Sequence, residues 1–136
     1  MSWKKDIEQK KMKTRSTLLF TAMLLCLASA TAADEISTQE KEKIEYLINH
    51  LESMKDATFI RNDKEYDART AALFLRRKWQ FDKDMVRTAE DFIERIASRS
   101  STTGKPYRIR MKDGKEIECG DYLSKLLNSQ GPGLDR

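Results

Sequence analysis

Residues 58–67, Thr-Phe-Ile-Arg-Asn-Asp-Lys-Glu-Tyr-Asp, set the architecture of everything around them. Thr58, Phe59 and Ile60 on one side, and Glu65 and Tyr66 on the other, flank an Asn62-Asp63-Lys64 turn. Aromatic and β-branched residues around such a turn form a short hairpin. Asp67 then stands where a helix cap is needed, ahead of Ala68, Ala71, Ala72, Leu75 and Trp79, which share one helical face. The same order returns downstream. Tyr107, Ile109 and Met111 alternate with Arg108 and Arg110, Lys112-Asp113-Gly114-Lys115 supplies a turn rich in positive-φ residues, and Glu116–Glu118 runs back. Asp121 is expected to cap a last helix carrying Tyr122, Leu123, Leu126 and Leu127. Two hairpins of this kind can pair into one small antiparallel sheet with helices on one face.

Two more helices complete the α+β reading of about four helices and two hairpins. Ser37-Thr38-Gln39-Glu40 has the form of a capping box. Ile44, Leu47, Ile48, Leu51 and Met54 follow at spacings of three and four, so a helix is predicted from Thr38 to Met54. Thr88 is expected to cap a third helix, whose stripe is Ala89, Phe92, Ile93, Ile96 and Ala97. Gln80 to Arg87 reads as a connecting loop with Phe81 and Met85 turned inward. Arg76, Arg77 and Lys78 suit the negative end of the preceding helix dipole, which is a plainer account of them than a binding patch.

Upstream, the uncharged run Leu18–Ala28 follows six basic residues and ends on Ala30 and Ala32, spaced as in an A-x-A cleavage site. Residues 1–32 therefore read as a secretory signal peptide, with Met12 as an alternative start, and the run is well short of the roughly 20 residues that span a bilayer. Cys26 follows Leu25, which argues against lipid attachment. Domain expectations are a single α+β domain over 33–128 and a disordered tail over 129–136. The leader holds 6 basic and 2 acidic residues, so the chain's net charge of +4 lies entirely within it and 20 of each remain beyond. A neutral mature domain carries no argument for nucleic acid or for stable membrane insertion after cleavage. Periplasmic location is the expectation.

Catalytic chemistry has little to stand on. His50 is the lone imidazole and sits beside its helix stripe, so no metal set forms around it. Cys119 is the one cysteine beyond the leader, expected near a strand end and with no activating neighbour in sequence. The carboxylates Glu40, Glu42, Glu45, Glu52, Glu90 and Glu94 fall on caps and solvated faces. No cofactor is implied. The loop Ser98-Arg99-Ser100-Ser101-Thr102-Thr103-Gly104-Lys105-Pro106 stands apart for its hydroxyls. It is not a phosphate loop, because Arg99 replaces the first Gly and Pro106 the Ser or Thr after the Lys. Ser98, Ser100, Ser101, Thr103, Gly104, Lys105 and Tyr107 form the candidate binding surface, with Arg61, Arg108 and Arg110 on flanking strands. The plainer account is that the serines cap the third helix and satisfy turn backbone, with Gly104 at positive φ.

The segments 59–68, Ala71-Ala72 with Leu75-Arg76, Thr88–Ile93 and Ala97–Tyr107 together resemble the YfeK-like family of small secreted bacterial proteins, a domain of unknown function. The resemblance spans essentially the whole of the chain after residue 32 and implies a periplasmic protein with no assigned activity. The family pattern carries Gly where Asp63 stands and His where Phe74 stands, and Phe74 neither transfers a proton nor binds a metal. The leading expectation is a non-enzymatic binding or interaction module using loop 98–107, for an envelope protein or a small anionic or glycan ligand. The alternatives are a small hydrolase or transferase using a Ser or Lys of that loop, or an inhibitor of a cell-wall enzyme.

Overall fold

The first helix, α1, runs Thr38–Ser53, and its cap Ser37 accepts the Glu40 N–H at 3.2 Å. The computed structural model describes residues 35–130, so the leader reading of 1–32 and the tail past 130 lie outside the described residues. Ile44, Leu47, Ile48 and Leu51 of α1 are wholly buried, each worth about 1.5–3 kcal/mol of apolar transfer. The expected capping box is only half formed. The Glu40 carboxylate accepts the Ala89 N–H at 2.7 Å and pairs with Lys43, so it ties α1 to the start of a distant helix instead of closing on Ser37.

Strands β1 (Thr58–Arg61) and β2 (Lys64–Tyr66) form the first hairpin, with Arg61 opposite Lys64. Asn62 and Asp63 both take positive φ, 51° and 63°, so this is the two-residue turn whose twist matches the strands. In the second hairpin, β3 (Arg108–Arg110) and β4 (Glu116–Glu118), only Gly114 is positive, at 86°. Its N–H donates to Met111 O, and the Met111 N–H donates to Lys115 O. That is a three-residue turn closed by a left-handed glycine, so Asp-Gly serves a different turn than two positive-φ residues would make. The hairpins join through antiparallel β1 and β3, giving the order β2-β1-β3-β4. Phe59, Tyr107 and Ile109 face the helices and belong to the core, whereas Ile60 is buried outside it, on the face bearing Arg108 and Arg110.

Helix α2, Ala68–Phe81, is capped by Asp67, whose carboxylate accepts the Thr70 N–H at 2.7 Å. Phe81 and Met85 point outward, against expectation, at 90% and 58% exposure. The helix extends through Phe81, which stands about 200° around the axis from Trp79, and a 3₁₀ turn over Lys83–Met85 delivers Val86 to the core instead. The basic cluster also disperses. Arg76 bonds Glu45, Asn49 and Glu52 of α1, while Lys78 Nζ reaches across to the carbonyls of Ile96 and Arg99.

Thr88 caps α3, which makes one α-turn, Ala89–Asp91, and then continues as π-helix over Phe92–Ala97. Thr88 and Asp91 form a full capping box. The last helix, α4, runs Cys119–Ser129 and starts earlier than expected. The Cys119 N–H still donates to Tyr107 O at 2.8 Å, so the helix rises straight out of the β4 ladder, and Asp121 lies in its first turn rather than at its cap. The helix includes Ser129, with Gln130 just past its end. Gln130 Nε2 donates to Tyr46 OH at 2.6 Å.

These caps and clasps give the acid limb of stability a definite sign. Burial pulls the Glu40 carboxyl up, but its bonds to Lys43 and Ala89 hold it below the ordinary value near 4.5. The backbone N–H groups of Arg87 and Thr88 do the same for Asp91, and the side chain and then the backbone N–H of Thr70 do so for Asp67, against an ordinary 3.8. A carboxyl depressed in the folded state contributes stability that is present above its unfolded pKa and is lost as pH falls through the folded one. Urea midpoints are therefore expected to hold steady down to about pH 5 and then to fall continuously to about pH 2. A midpoint flat across that window contradicts the assignment.

Candidate functional site

The hydroxyl-rich loop begins where the π-turns end. Ser98 Oγ donates to Ile93 O at 2.6 Å, five residues back, which fits the wide pitch of that helix. The Ser100 N–H donates to Lys105 O and the Gly104 N–H to Ser100 O, with Gly104 at φ 71°. Ser100 is the one buried polar residue among those described, at 1% exposure. Its Oγ accepts from Asn62 Nδ2 and from the Thr102 N–H, both at 3.3 Å. Thr103 Oγ1 donates to Asn62 Oδ1, and Lys105 Nζ pairs with Asp63. That ammonium beside Asp63 holds its carboxyl below the usual range. The loop thus clasps the first hairpin's turn. Ser98, Ser100, Thr103 and Lys105 are engaged within the fold, and Ser101 stays at the surface.

Arg61 and Tyr107 go elsewhere. The alternation of β1 places Arg61 on the side of Phe59, toward the helices, away from Arg108 and Arg110. Arg108 and Arg110 instead pair with Glu116 on the opposite face, and Arg110 also with Glu65. The Arg61 guanidinium lies 4.0 Å from the centre of the Phe74 ring, and Phe74 meets Tyr107 edge-on at 6.2 Å. Arg61 Nε is buried with no hydrogen-bond partner among the described residues. Beside it opens a cavity of about 80 Å³, walled by Phe59, Tyr66, Thr70, Ala71, Phe74 and Tyr107 and reaching Cys119. Reasoning from sequence missed Thr70, Ala71 and Phe74 as its wall.

The electrostatics around this cavity are lopsided. Lys78 Nζ stands 5.2 Å from the Tyr107 ring centre and 3.5 Å from its hydroxyl. Burial pushes the Lys78 ammonium down, Asp82 opposes this and Arg61 adds to it. Burial pushes the Tyr107 phenol up against the pull of Arg61, so it is a neutral hydroxyl at physiological pH. The Cys119 thiol is pushed up to about 12 by burial, which keeps it protonated and unreactive. His50 is remote from all of this, with Nε2 2.8 Å from Tyr122 OH. Among the described residues no group of three or more His, Cys, Asp or Glu converges on a metal position. None of the described helices is long and apolar enough to cross a membrane.

A family model described as a family of unknown function, DUF5329, matches residues 38–130, from the first turn of α1 to the end of α4. This chain belongs to the DUF5329 family. A relative, the uncharacterized protein YfeK of Salmonella typhimurium, is 36% identical over 86 residues, covering 63% of this chain and 72% of the relative. The expected YfeK-like family is thereby shown. No solved structure matches the chain. The DUF5329 match spans every element that builds the cavity and the loop clasp, from β1 to α4.

Proposed function

We propose that this protein is an exported, non-catalytic binding module of the cell envelope, with the cavity beside Arg61 as its seat. One observation carries the reading. A guanidinium directed toward the helices, with its Nε buried and unpartnered, borders an open apolar cavity. An unsatisfied buried donor costs free energy, and a ligand acceptor would repay it. The loop 98–107 then acts as a support. It fixes the hairpin turn next to Arg61, and its last residue, Tyr107, forms part of the wall. A hydrolase or transferase reading needs a free hydroxyl beside a base, whereas Ser100 Oγ is occupied by Asn62 and Thr102.

Two measurements test this. Mapping amide shifts during titration with a panel of small apolar fragments is expected to mark Thr70, Ala71 and Tyr107. Shifts confined to Ser101, Thr102 and Lys105 would return the site to the loop. Independently, Arg61→Met is expected to leave stability unchanged or to raise it by up to about 1 kcal/mol, since a half-buried charge without a counter-ion gives way to an apolar chain. A loss above about 2 kcal/mol in urea unfolding would make Arg61 a structural residue. Export rests on the residue pattern of 1–32, and a mature protein whose mass begins at Ala33 is the outcome it requires.

A further inference from the structure

The chemistry of the cavity narrows what it takes, given the reading of it as a binding seat. Its lining includes Arg61 and Arg108 and no Asp or Glu, and of the two only Arg61 shares the face of Phe59. Arg108 is already paired, with Glu116 at 2.9 Å and Asp63 at 3.8 Å. Arg61 has the Phe74 ring beneath it and no ion-pair partner among the described residues, while Lys78 adds positive charge behind Tyr107. The rest of the wall is largely apolar, from Phe59, Tyr66, Ala71, Phe74 and Leu75, with Thr70 and Tyr107 as members that carry hydroxyls. A cavity of about 80 Å³ is roughly half the volume that takes up benzene, so it suits a group of about four or five heavy atoms.

We propose that the site binds a short aliphatic carboxylate: a compact branched or straight alkyl group fills the cavity and its carboxylate accepts from Arg61 Nε. The anion neutralises a guanidinium that has no counter-ion, and charge-assisted bonds of this type are the strong ones. The alkyl group removes water from an apolar wall that a polar ligand would leave unsatisfied. Cation and apolar wall are each unremarkable alone. Their juxtaposition, with no acid in the wall, selects a ligand that has both parts. Two sources share this chemistry, a free short-chain acid and the C-terminal carboxylate of a peptide ending in an aliphatic residue.

Calorimetric titration of the full-length mature protein with isovalerate, isovaleramide and N-acetyl-leucine tests the assignment. The expected result is saturable isovalerate binding that weakens about tenfold or more for the neutral amide, a loss Arg61→Gln reproduces. Ala71→Leu, which fills the cavity while keeping Arg61, is expected to abolish binding. Tighter binding of N-acetyl-leucine than of isovalerate assigns the peptide source, and the reverse assigns the free acid. If acid and amide bind alike and Ala71→Leu abolishes both, the cavity stands as a seat and the carboxylate assignment falls. If neither binds, or Ala71→Leu leaves binding intact, both the assignment and the seat are overturned. Because acid and amide are compared on the unaltered protein, a misfolded Arg61→Gln variant does not blunt the test.

Discussion

Phe92→Ala lowers the free energy of unfolding by about 3–5 kcal/mol, the expected cost of truncating a wholly buried aromatic ring. Phe92 is the largest fully enclosed side chain among the described residues, and it opens the π-helical segment. Trp79 of α2 meets it edge-on at 5.9 Å and 72°. The ring therefore joins the second helix to the third. A domain of this size has about 5–15 kcal/mol in total, so the variant is expected to be partly unfolded at physiological temperature. Urea denaturation followed by tryptophan fluorescence checks it, since Trp79 lies against the altered site. A loss below about 1 kcal/mol would show that the core collapses around the gap.

Gly120→Ala is the second large effect, with an expected loss of about 1–3 kcal/mol from overpacking. The first turn of α4 presses on the end of the π-helix at this point. A Cβ on Gly120 would overlap Ser98 Oγ and lie 3.2 Å from Ser98 Cβ and 3.5 Å from Ser98 Cα. Rotating the hydroxyl away sacrifices its bond to Ile93 O. The main chain of Ser98 is also held, because its carbonyl accepts the Tyr107 N–H at 2.9 Å. Combining Ser98→Ala with Gly120→Ala is expected to recover part of the loss, since the overlapping oxygen is gone while the 3.2 Å contact remains. A double-mutant cycle reads this as a favourable coupling energy. Strict additivity would place the strain elsewhere.

Both hairpins and the stripes of all four helices were legible, because each rests on spacing within a few residues. Thr58–Tyr66 and Tyr107–Glu118 carry their own turns, and Ile44 to Leu51 and Ala89 to Ala97 keep a helical period throughout. What failed depended on where an element stops. Phe81 looked like a core residue in a loop, and two more residues of α2 move it to the solvent side. Asp121 looked like a cap, although the ladder bond from Cys119 had already started the helix. The π-turns left no trace, since Phe92, Ile93 and Ile96 recur as they would in an ordinary helix.

The candidate site was legible residue by residue but not as a constellation. Arg61 shares a face with Phe59 by simple alternation, yet Ile60 is apolar too and blurs which face is inner. The loop hydroxyls stood out for their density, and nothing local announced that Asn62 and Asp63 would be their partners across some forty positions. The cavity is lined from β1, β2 and α2 together, with Ala71 in its wall, so it is a consequence of packing between elements. The density of hydroxyls points to the exposed loop, whereas the unpartnered Arg61 Nε borders a cavity that only the packing of β1 against the helices creates.

The Arg61 side-chain Nε–Hε resonance, followed by ¹⁵N–¹H spectroscopy while isovalerate is titrated to saturation, probes the account at its centre. This signal is expected to move downfield with the same midpoint as the amides of Thr70 and Ala71, as a bare donor gains a carboxylate acceptor. An Nε–Hε signal that stays in place while the protein saturates would contradict it.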